Sequence, residues 1–116
     1  MTYEMHLDRR PFCQMRSGMK TIELRLDYEE RKGLRPGDEI IFISREYASD
    51  MIRTEVQKVH RFPTFKELYE KLPLSKCGYS RKDAKTADWH DMEKYYPLEK
   101  QQEFGVLGIE IKVLDK

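Results

Sequence analysis

The stretch Thr21-Ile-Glu-Leu-Arg-Leu26 alternates apolar Ile22, Leu24 and Leu26 with polar Thr21, Glu23 and Arg25, the two-residue period of a strand with one apolar face and one polar face. Ahead of it, residues 3–7 read as a short strand. Between them, Asp8 suits a helix N-cap, Pro11 is tolerated in a first turn, Phe12 and Met15 share a face, and Gly18 sits where a helix C′ residue belongs. That predicts a helix of about two turns with a sharp exit into the strand.

Residues 28–32 read as a charged turn or short helix. Arg35-Pro-Gly-Asp38 has the residue types of a type II β-turn, with Pro36 and Gly37 at its centre. It opens onto residues 39–44, an apolar strand expected to be buried on both faces. A polar connection over 45–50 leads to a longer strand, 51–62, whose apolar positions Ile52, Val56 and Val59 include a change of parity, predicting a bulge. Thr64 and Glu67 form a capping box at the head of a helix that buries Phe65, Leu68 and Leu72. Residues 72–79 are irregular, 86–95 read as a second helical stretch, and 97–104 as a short one ended by Gly105. The last strand spans 106–113.

The order β-α-β-β-β-α-α-α-β predicts an α+β domain. Its sheet should be mostly antiparallel and curled into a β-barrel, with helices packed around it and the final strand paired to early ones. The chain has 116 residues, the size of one domain rather than two, so residues 1–116 are read as a single unit.

Composition narrows the function classes. Charged residues make up 37% of the chain, yet 22 basic residues offset 21 acidic ones to leave a net charge of +1. Bulk attraction to duplex phosphates needs a large basic excess, so any nucleic-acid contact must come from local placement of Lys and Arg. Cys13 and Cys77 do not make a disulfide framework. They are expected to be reduced, small core residues in a cytoplasmic protein. No N-terminal stretch resembles a signal peptide, and no apolar run approaches the ~20 residues that span a bilayer. His6, His60 and His90 lack zinc-ligand spacing, so neither a metal nor a cofactor is expected.

Three stretches carry a family resemblance. Pro11-Phe12, then Gly18-Met-Lys20-Thr-Ile-Glu23-Leu-Arg25, then Gly37-Asp38-Glu-Ile-Ile-Phe42 resemble the ASCH family, whose hallmark is Gly-x-Lys-x-x-Glu-x-Arg followed by a Gly-Asp turn. Met92-Glu-Lys-Tyr95-Tyr96 and Phe104-Gly105-Val-Leu-Gly-Ile109 are similar to the end of bacterial members. The resemblance runs from Tyr3 to Val113. It implies a PUA-like barrel, a cleft between barrel and helices, and a role in RNA metabolism. Some relatives are amidohydrolases acting on N4-acetylcytidine and others are described as ribonucleases. The amidohydrolases use a lysine, a threonine and a glutamate. The lysine carries over onto Lys20, Glu23 stands at the threonine's place, and Asp83 and Asp88 are the nearest acidic candidates for the third.

Glu23 and Arg25, two apart on a strand, project from the same face about 7 Å apart, and Lys20 stands at that strand's entrance. A lysine works as base or nucleophile only when driven toward its neutral form. Arg25 pushes that way and Glu23 pushes back, so the trio suits electrostatic anchoring of a phosphate or acyl oxygen at least as well as proton abstraction. A solvated strand face with a weak ion pair would carry the same pattern. Phe12, Gly18 and Thr21 flank the trio and are expected to touch the ligand. Tyr79, Trp89, Tyr95 and Tyr96 offer a surface on which a base can stack, although helical spacing also suits Trp89 and Met92 as core contacts.

Three readings follow. The first is recognition of RNA or a modified nucleoside, by a monomer or weak dimer. The second is hydrolysis of RNA or an acylated nucleoside, with Lys20, Glu23 and Arg25 as the catalytic set. The third is a regulatory module that senses a small anion or nucleotide without chemistry.

Overall fold

The computed structural model describes residues 1–114. Five strands form one curled sheet in the order β1 (Thr2–Leu7), β3 (Glu39–Ser44), β4 (Met51–Phe62), β5 (Val106–Val113), β2 (Ile22–Leu26). Three of the pairings are antiparallel. The exception is β1 with β3, which run parallel with Met5 opposite Phe42. β5 pairs with both β2 and β4, as the shortage of late strands requires.

The expected closed barrel is corrected to a half-barrel. β1 and β2 end the sheet on opposite sides and share no ladder. Across the gap, a side chain makes the join: Nη2 of Arg25 donates to the carbonyl of His6 at 2.6 Å. The bulge falls in β4 between Val56 and Lys58, where the apolar parity changes.

Helices cover both faces. α1 (Arg9–Ser17) lays Phe12 and Met15 on a cluster with Met5, Leu7, Leu34, Phe42, Ile52, Leu107 and Ile109. Gly18 closes α1 at φ 88°, a left-handed conformation that glycine adopts without steric cost. On the other face, α2 (Phe65–Lys71) begins at the Thr64–Glu67 capping box and sets Phe65 and Leu68 against Ile22, Leu24, Leu26 and Val106. Gly108 allows this approach, because a Cβ there would meet Leu72 Cδ1 at 2.5 Å.

Several expectations change. Ile41 and Ile43 of β3 are half-buried, so that strand has one fully buried face, and Leu72 is half-buried too. Cys77 is buried but Cys13 is exposed, since Cys13 falls on the outer side of a helix whose inner side is Phe12 and Met15. The helix expected over 86–95 is replaced by a 3-10 turn, and a short helix forms ahead of the expected range. Ser80 caps α3 (Arg81–Ala84) and Asp88 caps a separate 3-10 turn, Trp89–Lys94. Two side-chain caps eight residues apart start two separate short elements. α4 (Leu98–Phe104) then leads into β5. No helix among the described residues is long and apolar enough to cross a membrane.

Candidate functional site

β2 is buried along its whole length, polar face included. Glu23 stands opposite Ile109 and Arg25 opposite Leu107 on β5, so both project into the apolar cluster side of the half-barrel. Exposure is 5% for Lys20, 4% for Glu23 and 9% for Arg25. The reading of these residues as a solvated strand face is therefore set aside.

Burying three charges is costly unless each is matched. Glu23 provides the match. Its Oε1 lies 3.2 Å from Lys20 Nζ and its Oε2 accepts from Arg25 Nε at 2.6 Å. Burial alone would raise the Glu23 carboxyl, but Lys20 and Arg25 outweigh it and hold the group below its ordinary value. Burial likewise works against the charged guanidinium of Arg25, and Glu23 more than reverses it.

The proton inventory separates the two cations. Lys20 Nζ donates to the carbonyls of Ile22 (3.1 Å) and Cys77 (2.9 Å) in addition to facing Glu23. An ammonium has three protons, and here three acceptors surround it, so none is left for a ligand. Arg25 uses Nε on Glu23 and Nη2 on His6. Its Nη1 has no protein acceptor among the described residues, and the residue lines a cleft.

That cleft encloses about 990 Å³ and is open to solvent, near the top of the usual range for ligand pockets. It follows the gap between β1 and β2. One wall is the end of β1 and the start of α1, with His6, Asp8, Arg10 and Gln14; the other is Tyr69 of α2 and the helical connection from Cys77 to Tyr96. Gln14 Nε2 donates to the Gly78 carbonyl at 3.1 Å and ties the walls together at the floor.

Of the residues singled out from sequence, Lys20, Glu23, Arg25, Tyr79, Tyr95 and Tyr96 come together along this lining. The other four lie elsewhere. Phe12 is in the core with the Arg16 guanidinium 5.0 Å from its ring centre. Gly18 closes α1. Thr21 joins main chains, its amide donating to Lys76 and its carbonyl accepting from Ile111. Trp89 leans on the second apolar cluster and stacks on His90 at 3.8 Å. Of the acidic candidates, Asp83 lines the cleft and Asp88 does not.

Asp91 and Tyr69 also line the cleft, and sequence reasoning gave neither a place in the site. Tyr79 Oη donates to Asp91 Oδ2 at 2.9 Å and is 2.8 Å from Tyr69 Oη. Tyr69 to Asp91 spans 22 positions and joins α2, a loop and the 3-10 turn, so no local spacing flags it. Nor can sequence reveal that main-chain carbonyls of Ile22, Cys77 and His6 complete the network. No group of His, Cys, Asp and Glu suited to a metal ion occurs among the described residues.

The ASCH domain profile matches residues 5–115, nearly the whole chain. The chain belongs to the ASCH domain family. No curated protein matches this ASCH chain. Among solved structures it is similar to hypothetical protein PH0355 (29% identity, TM-score 0.77, covering 98% of this chain and 100% of that one). It is also similar to PF0455 from Pyrococcus furiosus (28% identity, TM-score 0.70, full coverage of both). A third, EF3133 from Enterococcus faecalis V583, shares the fold at 16% identity and TM-score 0.56, over 90% of this ASCH domain and 70% of that protein.

Proposed function

We propose that this ASCH protein binds RNA or a nucleoside in the cleft between β1 and the 77–96 connection. One observation carries the reading: Arg25 is held rigid by Glu23 and His6 yet keeps Nη1 free at the cleft lining. A fixed guanidinium edge suits phosphate or acyl oxygen recognition. The rings of Tyr69, Tyr79, Tyr95 and Tyr96 supply surfaces for a base. Local placement of this kind also fits a chain whose net charge is only +1.

Fluorescence anisotropy with a short labelled single-stranded RNA tests the proposal. Arg25→Gln should weaken binding about tenfold or more, the size of a lost charged hydrogen bond, and salt should weaken it in the wild type. Unchanged affinity in a folded Arg25→Gln protein would overturn the reading. Binding of inorganic phosphate with no RNA or nucleoside binding would favour an anion sensor instead.

A second reading, hydrolysis of RNA or an acylated nucleoside, draws on the Lys20–Glu23 contact of 3.2 Å at the cleft floor, across which a proton can pass. In the resting arrangement the Lys20 protons are committed to Glu23, Ile22 and Cys77, so catalysis requires the amine to leave those acceptors. Turnover of acylated cytidines or unstructured RNA, lost in Lys20→Met, would establish it. Equal turnover by wild type and variant would remove it.

A further inference from the structure

On the wall facing Arg25, the Tyr69–Tyr79–Asp91 chain can only accept further hydrogen bonds, and that follows from counting protons. Each phenol has one. Tyr79 gives its proton to Asp91. The 2.8 Å bond between the two hydroxyls must then use the Tyr69 proton, so the chain runs Tyr69 to Tyr79 to Asp91. Every donor in it is consumed, and what remains for the cleft is lone pairs and the Asp91 carboxylate. Burial first, and then Tyr79, lifts the Tyr69 phenol above its ordinary value. Burial and Asp91 push Tyr79 up to about 12. Both hydroxyls therefore stay protonated and the direction of the chain is fixed. Asp83 lies on the same wall.

The cleft thus has two unlike poles. Arg25, with Arg10 and the Arg45–Asp8 pair on its side, presents N–H donors and the positive charge of Arg25 and Arg10. The Tyr69–Tyr79–Asp91 chain presents acceptors and a carboxylate, which disfavours a phosphate at that point, while Lys94, Thr86, Tyr95 and Tyr96 stand beside it on the same wall. Such a cleft orients a ligand that carries an anionic acceptor next to a hydroxyl donor. In a ribonucleotide the phosphate is joined directly to a sugar whose hydroxyls are donors, whatever the base. The 2′-hydroxyl is also the group by which a protein tells RNA from DNA.

We propose that the Tyr69–Tyr79–Asp91 chain is a ribose-hydroxyl site, which makes this cleft selective for ribonucleotides over 2′-deoxyribonucleotides. The inference rests on the reading of the cleft as an RNA or nucleoside site. The ribonucleotide has two sources, a free nucleoside monophosphate or a residue within an RNA strand.

The experiment measures the ratio of affinities for paired ligands differing only at the 2′ position. One arm uses a short single-stranded oligonucleotide in ribo and 2′-deoxy form with identical, uracil-containing sequence. The other uses uridine monophosphate and its 2′-deoxy counterpart. The proteins are wild type, Asp91→Asn and Tyr79→Phe, with thermal melting as a check on folding. Asp91 is exposed, so its isosteric replacement keeps the test valid if Tyr79→Phe is unstable. A ribo preference of about tenfold or more is expected in the wild type, falling toward unity in Asp91→Asn, where an amide donor enters the acceptor wall. The arm showing the preference identifies the source. A wild-type ratio near one, or a preference that survives in Asp91→Asn, would overturn the ribose site while leaving RNA binding intact. Binding of neither form in either arm would overturn the cleft reading itself, and the ribose site with it.

Discussion

Glu23 with Arg25 on β2, and Glu39 of β3 with Arg53 of β4, are carboxylate–guanidinium pairs set on the same sheet. The first pair is 2.6 Å apart with side chains 5% and 11% exposed; the second is 3.3 Å apart at 38% and 50%. The Glu23–Arg25 face of β2 turns into the half-barrel interior and toward the helical connection, whereas the face of β3 and β4 carrying the second pair looks outward. Identical chemistry then has opposite consequences. The outward pair keeps its water and contributes about 0–1 kcal/mol. The inward pair has lost its water, so each member depends on the other and on carbonyls fixed by the fold. Such a site is preorganised because relaxing it would strand a charge.

The sharpest way to break this contrast is Glu23→Gln. It leaves Lys20 and Arg25 buried beside an amide, and removal of one member of a buried pair typically costs about 3–5 kcal/mol. Urea denaturation should show a loss of that size, and a loss under about 1 kcal/mol would mean that water reaches the network. The pH profile sharpens the same point. Because the native Glu23 carboxyl lies below its ordinary value, its contribution is complete above the unfolded-chain value near about 4.3. It then drains away as pH falls through the lower native value. Stability should thus decline below about pH 4, with a shallower acid limb in Glu23→Gln. Part of the limb will remain through Glu67, whose carboxyl is lowered chiefly by its hydrogen bond from Thr64.

Gly108→Ala probes the packing behind β2 without touching a charge. The new methyl group would press on Leu72 Cδ1, the end of a movable side chain, so a cost of about 1 kcal/mol is expected from denaturant midpoints. At the small end, Glu39→Gln should change stability by less than about 0.5 kcal/mol and no more at low salt than surface pairs allow. A larger effect would erase the distinction between the two faces.

Local rules made much of this fold readable. The Thr64–Glu67 box, the glycine ending α1, the parity change at the β4 bulge and the bounds of β5 each depend on neighbours in sequence. What stayed hidden depends on distant partners. The alternation of β2 says that Glu23 and Arg25 share a face, but only its pairing with β5 determines that the face is inward. Phe12 and Trp89 resemble ligand contacts by residue type, and tertiary packing sets Phe12 in the core and Trp89 half-buried against the second apolar cluster. The Tyr69–Tyr79–Asp91 chain assembles from α2, a loop and the 3-10 turn and exists only after they meet.

The gap between β1 and β2 has a consequence for solubility. A sheet border with unpaired amides and carbonyls is a template for another chain, and this half-barrel turns its two borders toward one another with Arg25 as the strap across them. Cutting the strap, as in Arg25→Ala, would leave two adhesive rims free to recruit neighbours. The guanidinium proposed to meet a ligand thereby also bridges two sheet borders, so its loss should register in light scattering as self-association together with the stability loss of a broken buried pair.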